Sequence, residues 1–199
     1  MFARYNKVQQ AVLETTLRLI IDKELQATSM SLIAKESKVS TGNIYHYFSS
    51  KEDIINELYK AIVQFNGEYV TKNWSDADPV RVRFERAWEN VIRLGMEYPQ
   101  GFQFIEQYSF SPYIYEASKL EAYKGGWCGP LEAVYREAIA AGLFKPGLEP
   151  RLMVQMHYGS FVYLLKAHLQ QYLELNEETI RSAISSSWNA FGTDKAVMT

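Results

Sequence analysis

Apolar residues recur at intervals of three and four along nearly the whole chain, the spacing of one face of an α-helix. Val12, Leu13, Thr16, Leu17, Ile20 and Ile21 form two adjacent rows and predict a first helix with a wide apolar stripe. Thr28 or Ser29 caps a short second helix carrying Leu32, Ile33 and Ala34. Val39 and Ser40 read as a turn followed by a cap, and Thr41 to Phe48 as a third helix of about two turns. Ser50 opens a fourth helix with Glu52 and Asp53 in its first turn, where negative charge suits the helix dipole. Ile55, Leu58, Ile62, Phe65 and Tyr69 carry that helix to the neighbourhood of Lys72.

The pattern then repeats. Asp78-Pro79 reads as a cap with proline in the first helical position, ahead of the stripe Val80, Phe84, Ala87, Val91, Leu94 and Tyr98. Pro99 starts another helix through Tyr108. Pro112, Gly125-Gly126 and Gly129-Pro130 weaken helix continuity between Ser111 and Gly129. Leu131 to Ala141 is helical again, stopped by Gly142 and Lys145-Pro146-Gly147. A helix from near Glu149 to Tyr172 carries Met153, Met156, Ser160, Tyr163 and Ala167, and Asn176 caps a last one bearing Ile180, Ala183, Ile184, Ser187, Trp188 and Phe191. No strand alternation stands out, and there is no internal repeat. The expected fold class is all-α, with a seam near residues 51–73.

Composition narrows this little. The 199 residues are 47% hydrophobic and 22% charged, ordinary for a globular chain. No apolar run reaches the ~18 residues of a membrane span, and MFARYNKVQQ at the N-terminus lacks an apolar signal core. Cys128 is the only cysteine, so neither an internal disulfide nor a cysteine zinc cluster is expected. A cytoplasmic protein without membrane attachment is the simplest reading. Net charge is −2; residues 1–60 hold eight Lys/Arg against seven acids, an asymmetry too weak to argue for a nucleic-acid surface by itself.

The stretch VSTGNIYHYFSSKED carries the chemistry. Ile44 and Phe48, four apart, share one face and suit a core. Thr41, Asn43, Tyr45, His46 and Tyr47 ring the other faces, which packing explains poorly. Three short helices with a tight turn between the second and third suggest a helix-turn-helix, whose third helix enters the DNA major groove. Tyrosine hydroxyls and imidazole N–H groups donate to phosphate oxygens, and Gly42 lets backbone approach a base.

The run ATSMSLIAKESKVSTGNIYHYFSSKEDIINELY resembles the DNA-binding domain of TetR-family transcriptional regulators. The matching pieces are Thr28 and Ser29, Ile33-Ala34, Val39-Ser40, Gly42, the block Tyr45 to Phe48, and Ser50-Lys51-Glu52; the resemblance covers about residues 8 to 60. It implies that Thr41, Gly42, Asn43 and Tyr45 approach base edges, and that Thr28, Ser40, Tyr45, His46, Tyr47 and Lys51 bind phosphates. Arg4 and Lys7 would form an N-terminal arm. Two departures stand out. The family usually carries glycine where this chain has Lys38, so the lysine either strains a left-handed position or gains a phosphate contact. Thr15 and Thr16 replace small residues usual in the first helix.

The resemblance also implies a larger C-terminal helical domain that binds a small molecule and dimerises, for an organisation of residues 1–50 (helix-turn-helix), 51–74 (connecting helix) and 75–199 (ligand binding and dimerisation). Aromatic residues and methionines do gather there, among them Phe102, Phe110, Tyr113, Tyr115, Trp127, Tyr135 and Phe161. Trp88, Phe104, Tyr108 and His157 are the candidate contacts to a lipophilic or aromatic ligand, each marginal to its stripe or bringing a polar atom inside. Gly159 and Ser160 allow close approach of a second copy, with Phe161, Leu164, Ile184, Trp188 and Phe191 filling a homodimer interface. No cofactor and no metal site is expected. Glu106, Glu116, Glu121, Cys128 and His157 match no catalytic motif, so an enzyme is not expected. The alternative is a DNA-bound adaptor whose C-terminal domain docks a protein.

Overall fold

The computed structural model describes residues 1–124 and 128–197, so Gly125, Gly126 and Trp127 lie outside the described residues. The chain runs α1 (Lys7–Ala27), α2 (Met30–Ser37), α3 (Thr41–Tyr47), α4 (Lys51–Val70), α5 (Val80–Glu97), α6 (Pro99–Tyr108), α7 (Glu116–Lys124), α8 (Cys128–Ala140), α9 (Pro150–Leu169), α10 (Glu177–Phe191) and the single turn α11 (Asp194–Val197). The described residues contain no strand; one isolated antiparallel bridge joins Phe144 and Gly192. The all-α expectation holds.

Side-chain caps fix several helix starts. Asn6 and Gln9 form a reciprocal capping box on α1, Ser29 accepts from Leu32 N–H at 3.2 Å on α2, and Asn176 accepts from Thr179 N–H at 2.9 Å on α10. Asp78 departs from its expected role. The Pro79 carbonyl accepts the first α5 bond from Arg83 N–H at 3.1 Å, while the Asp78 carboxylate takes Ser75 N–H and the Arg86 guanidinium. Helical geometry in α1 is interrupted at Glu24, where φ is 67°.

Packing divides the chain into two compact units, Met1–Phe65 with Tyr98–Gly125, and Asn66–Glu97 with Gly126–Thr199. These are not the sequence segments expected above, because α6 and α7 pack with the N-terminal helices. In the first unit α1 lies against α2, α3 and α6 around Val12, Leu13, Ile20, Ile33, Ile44, Leu58, Ile62 and Phe104. Asn56, buried on α4, donates to Glu52 O (2.8 Å) and Tyr113 O (2.9 Å) and accepts from Tyr115 N–H (2.8 Å), tying the 111–115 turn to α4. Phe2 is buried and Gln10 donates to the Phe2 and Tyr5 carbonyls, so the first six residues are folded down rather than a free arm. Thr15 and Thr16 are buried, and the Thr16 hydroxyl has no hydrogen-bond partner among the described residues.

The second unit is an aromatic core. α5 packs on α8, α9 and α10. Trp88 stacks on Phe161 (4.9 Å, 26°), and Trp188 contacts Phe84 (5.1 Å) and Phe144 (4.6 Å). Phe161, Ile184 and Trp188, expected at a dimer interface, are thus buried within their own unit. The apolar side chains that α9 leaves outside are Leu152, Met156 and Tyr163, on either side of exposed Gly159 and Ser160.

Candidate nucleic-acid interface

The third helix is only seven residues long, so its structure depends on its ends and its anchors. Ser40 accepts from Asn43 N–H at 3.3 Å and starts it. The Phe48 N–H closes it on Ile44 O, and the Asp53 carboxylate then accepts from Ser49 N–H (2.8 Å) and Ser49 O–H (3.1 Å) while Ser50 caps α4. Ile44 is fully buried and Phe48 nearly so. Those two anchors, four residues apart as the sequence indicated, turn the rest of the helix outward.

Thr41, Gly42, Asn43, Tyr45, His46 and Tyr47 are all exposed, Tyr45 to 51% and Tyr47 to 37%. His46 and Tyr47 meet edge to face at 4.8 Å, which limits how freely either ring moves. A methyl group added at Gly42 would meet no other part of the described residues within 4 Å, so no packing there requires glycine. What remains is a small convex face of hydroxyl, amide, imidazole and phenol groups with a bare backbone patch. These groups match the donors and acceptors of phosphates and base edges.

Two expected phosphate contacts sit differently. Thr28 is fully buried, its hydroxyl donating to Glu24 O at 3.0 Å across the break in α1; the exposed cap is its neighbour Ser29. Burial takes Thr28 off the contact surface. Lys51 is half-buried and its ammonium donates to Leu25 O at 3.3 Å, which steers it across the start of α4. Lys38, where the family usually carries glycine, is left-handed, with φ 59° and ψ 27°.

The four expected ligand contacts fall into two groups. Phe104 and Tyr108, 5.3 Å apart, belong to the first unit's core beside α1. Trp88 and His157 belong to the second unit, where Trp88 Nε1–H donates to the Tyr135 hydroxyl at 2.9 Å and that hydroxyl hydrogen-bonds His157 Nδ1. With the Trp88 N–H on the Tyr135 oxygen, the tyrosine donates to Nδ1, so neutral His157 carries its proton on Nε2. That nitrogen has no hydrogen-bond partner among the described residues, although the Ser187 backbone lies close enough to favour a charged ring. Burial dominates and lowers His157 to about 4, and it raises Tyr135. Tyr135 joins Trp88 and His157 only through this packing. Its signal in the sequence is a phenol within the apolar row Leu131, Val134 and Ala138.

Elsewhere, burial with Glu132 nearby pushes the Cys128 thiol up to about 11, which suppresses the thiolate. The described residues contain no group of three His, Cys, Asp or Glu placed to hold a metal, and no helix among them is long and apolar enough to cross a membrane.

Comparison with known proteins matches residues 12–58 to "Bacterial regulatory proteins, tetR family" and residues 79–191 to "Tetracyclin repressor-like, C-terminal domain". An HTH-type transcriptional regulator of Haemophilus influenzae is 24% identical over 103 residues, 52% of this chain and 55% of that protein, so the match spans about half of its length. The fatty acid metabolism regulator protein of Bacillus subtilis is 26% identical over 153 residues, 75% of this chain and 77% of that protein. A crystal structure of a TetR-family transcription regulator from Marinobacter aquaeolei superposes with a TM-score of 0.83 at 24% identity, covering 96% of this chain and 99% of that one.

Proposed function

The chain belongs to the tetR family of bacterial regulatory proteins and is a DNA-binding transcriptional regulator, and from that premise we propose that it is a cytoplasmic homodimeric repressor, released from a palindromic operator by a small lipophilic ligand. The observation that carries this reading is the outward face of α3, anchored through buried Ile44 and Phe48. Thr41, Gly42, Asn43 and Tyr45 read base edges, while Ser40, Tyr45, His46, Tyr47 and Lys51 hold phosphates. We assign DNA recognition to residues 1–50, the connection to 51–74, and ligand binding and dimerisation to those of residues 75–199 that pack in the second unit.

A second copy docks on the exposed face of α9. Leu152, Met156 and Tyr163 are 49%, 50% and 76% exposed, a row that a monomer leaves in water, and Gly159 and Ser160 let helices approach closely. A two-fold dimer would present its recognition helices to half-sites about 34–36 Å apart. The ligand is assigned to the second unit, around Trp88 and His157. Phe104 and Tyr108 are set aside from the ligand group, since they share the core of the recognition helices. The Bacillus subtilis relative regulates fatty acid metabolism, which supports a lipophilic effector.

Selection of bound fragments from sheared genomic DNA tests the reading. Enrichment of an inverted repeat, lost when a long-chain acyl compound is added, is the expected result. Failure to enrich any sequence would overturn it. Enrichment unaffected by acyl compounds would favour the adaptor alternative, for which exposed Phe110 (97%) and Leu120 (63%) are the supporting observation.

A further inference from the structure

Lys38 occupies the left-handed region at the C-cap of α2. Glycine suits such a position, because any Cβ there crowds the neighbouring carbonyl. The geometry itself is set locally. The N–H groups of Lys38 and Val39 both donate to Ala34 O, which closes the end of α2 and turns the chain toward α3. Those bonds explain why the position is left-handed. They do not explain why a lysine fills it.

Nothing else among the described residues explains it either. Lys38 is exposed, and its ammonium has no ion-pair or hydrogen-bond partner among the described residues. Glu36, the nearest acid along the chain, is engaged by Arg18 at 3.4 Å. Yet the residue sits two positions before Ser40, the cap of the helix whose outer face is exposed. We propose that Lys38 is a further DNA contact: its ammonium binds a backbone phosphate beside the groove that α3 enters, and the strained backbone is kept for that contact. The proposal rests on DNA recognition by α3. Its contribution is independent of base sequence, since a point charge on a phosphate positions the protein without reading it.

The test compares wild type with Lys38→Gly, Lys38→Asn and Lys38→Arg. Glycine and asparagine tolerate the left-handed backbone and remove the charge; arginine keeps both charge and strain. Thermal unfolding and fluorescence-anisotropy titration on a mixed-sequence duplex, over a series of salt concentrations, are read together. Lys38→Gly and Lys38→Asn should raise Tm yet weaken binding, with the slope of log K against log salt shallower by about 0.9 per protomer. Lys38→Arg should keep the wild-type slope. A higher Tm with an unchanged slope in both neutral variants would overturn the proposal, leaving the lysine as unrewarded strain. An unchanged Tm would overturn the strain argument. Wild type that binds no duplex would remove the underlying reading of α3, a failure distinct from either.

Discussion

Acidification should reveal the buried relay through His157. The ring is neutral in the folded protein because burial among Phe84, Trp88, Phe161 and Phe191 disfavours its charged form, and because Nδ1 must accept from Tyr135. Its value drops from the ordinary 6.5 to about 4. The unfolded chain therefore binds a proton near pH 6.5 that the folded chain refuses until about pH 4. Between those values the unfolded state holds more protons, so stability is full above 6.5 and declines as pH falls through the window. At roughly 1.4 kcal/mol per pH unit, the site alone accounts for on the order of 3 kcal/mol, a substantial share of a typical 5–15 kcal/mol total. The assay is urea unfolding of wild type and His157→Asn at neutral pH and near pH 4. The asparagine oxygen can still accept from Tyr135 but does not titrate. The variant starts less stable because it is smaller, yet it should lose less on acidification, by that same order of magnitude. Equal losses would refute the argument that His157 is held neutral by burial.

Other expectations follow from single contacts. A Cβ at Gly95 would lie 1.9 Å from Leu165 Cδ2, whose side chain is itself buried; Gly95→Ala should cost about 1–3 kcal/mol in denaturant unfolding as α5 and α9 are pushed apart. Thr16→Val removes a buried hydroxyl without a partner and should raise stability by about 1 kcal/mol, measured as a higher Tm. Asn43→Ala should alter the sequence selected from random duplexes while leaving affinity for mixed-sequence DNA nearly unchanged, because base contacts specify and phosphate contacts hold.

The recognition helix was legible in the sequence because its local chemistry is unambiguous. Ile44 and Phe48 allow one inward edge, Ser40 caps its start and Ser50 opens the next helix. The C-terminal half was legible as helices but not as packing. Phe104 and Trp88 look alike as aromatic residues on amphipathic helices, yet one packs beside α1 and the other beside α9 and its neighbours. Such partners are chosen by contacts distant along the chain, which periodicity does not encode. α9 shows the same ambiguity within one helix. It is apolar on more than one face, so spacing alone could not tell the buried row of Met153, His157 and Phe161 from the exposed row of Leu152, Met156 and Tyr163. Thr28, which the resemblance puts on a phosphate, is buried with its hydroxyl on Glu24 O, and Ser29 is the exposed cap, a choice between adjacent hydroxyls that spacing does not encode.

The central claim is that the outward rings of α3 touch DNA and do not hold up the fold. Replacing Tyr45, His46 and Tyr47 together by alanine, and measuring both Tm and anisotropy on the duplex selected by wild type, tests it most directly. The account predicts a Tm within a few degrees of wild type and binding reduced by at least about a hundredfold, as the loss of several phosphate and base contacts implies. Undiminished binding, or collapse of the fold with these rings removed, would contradict it.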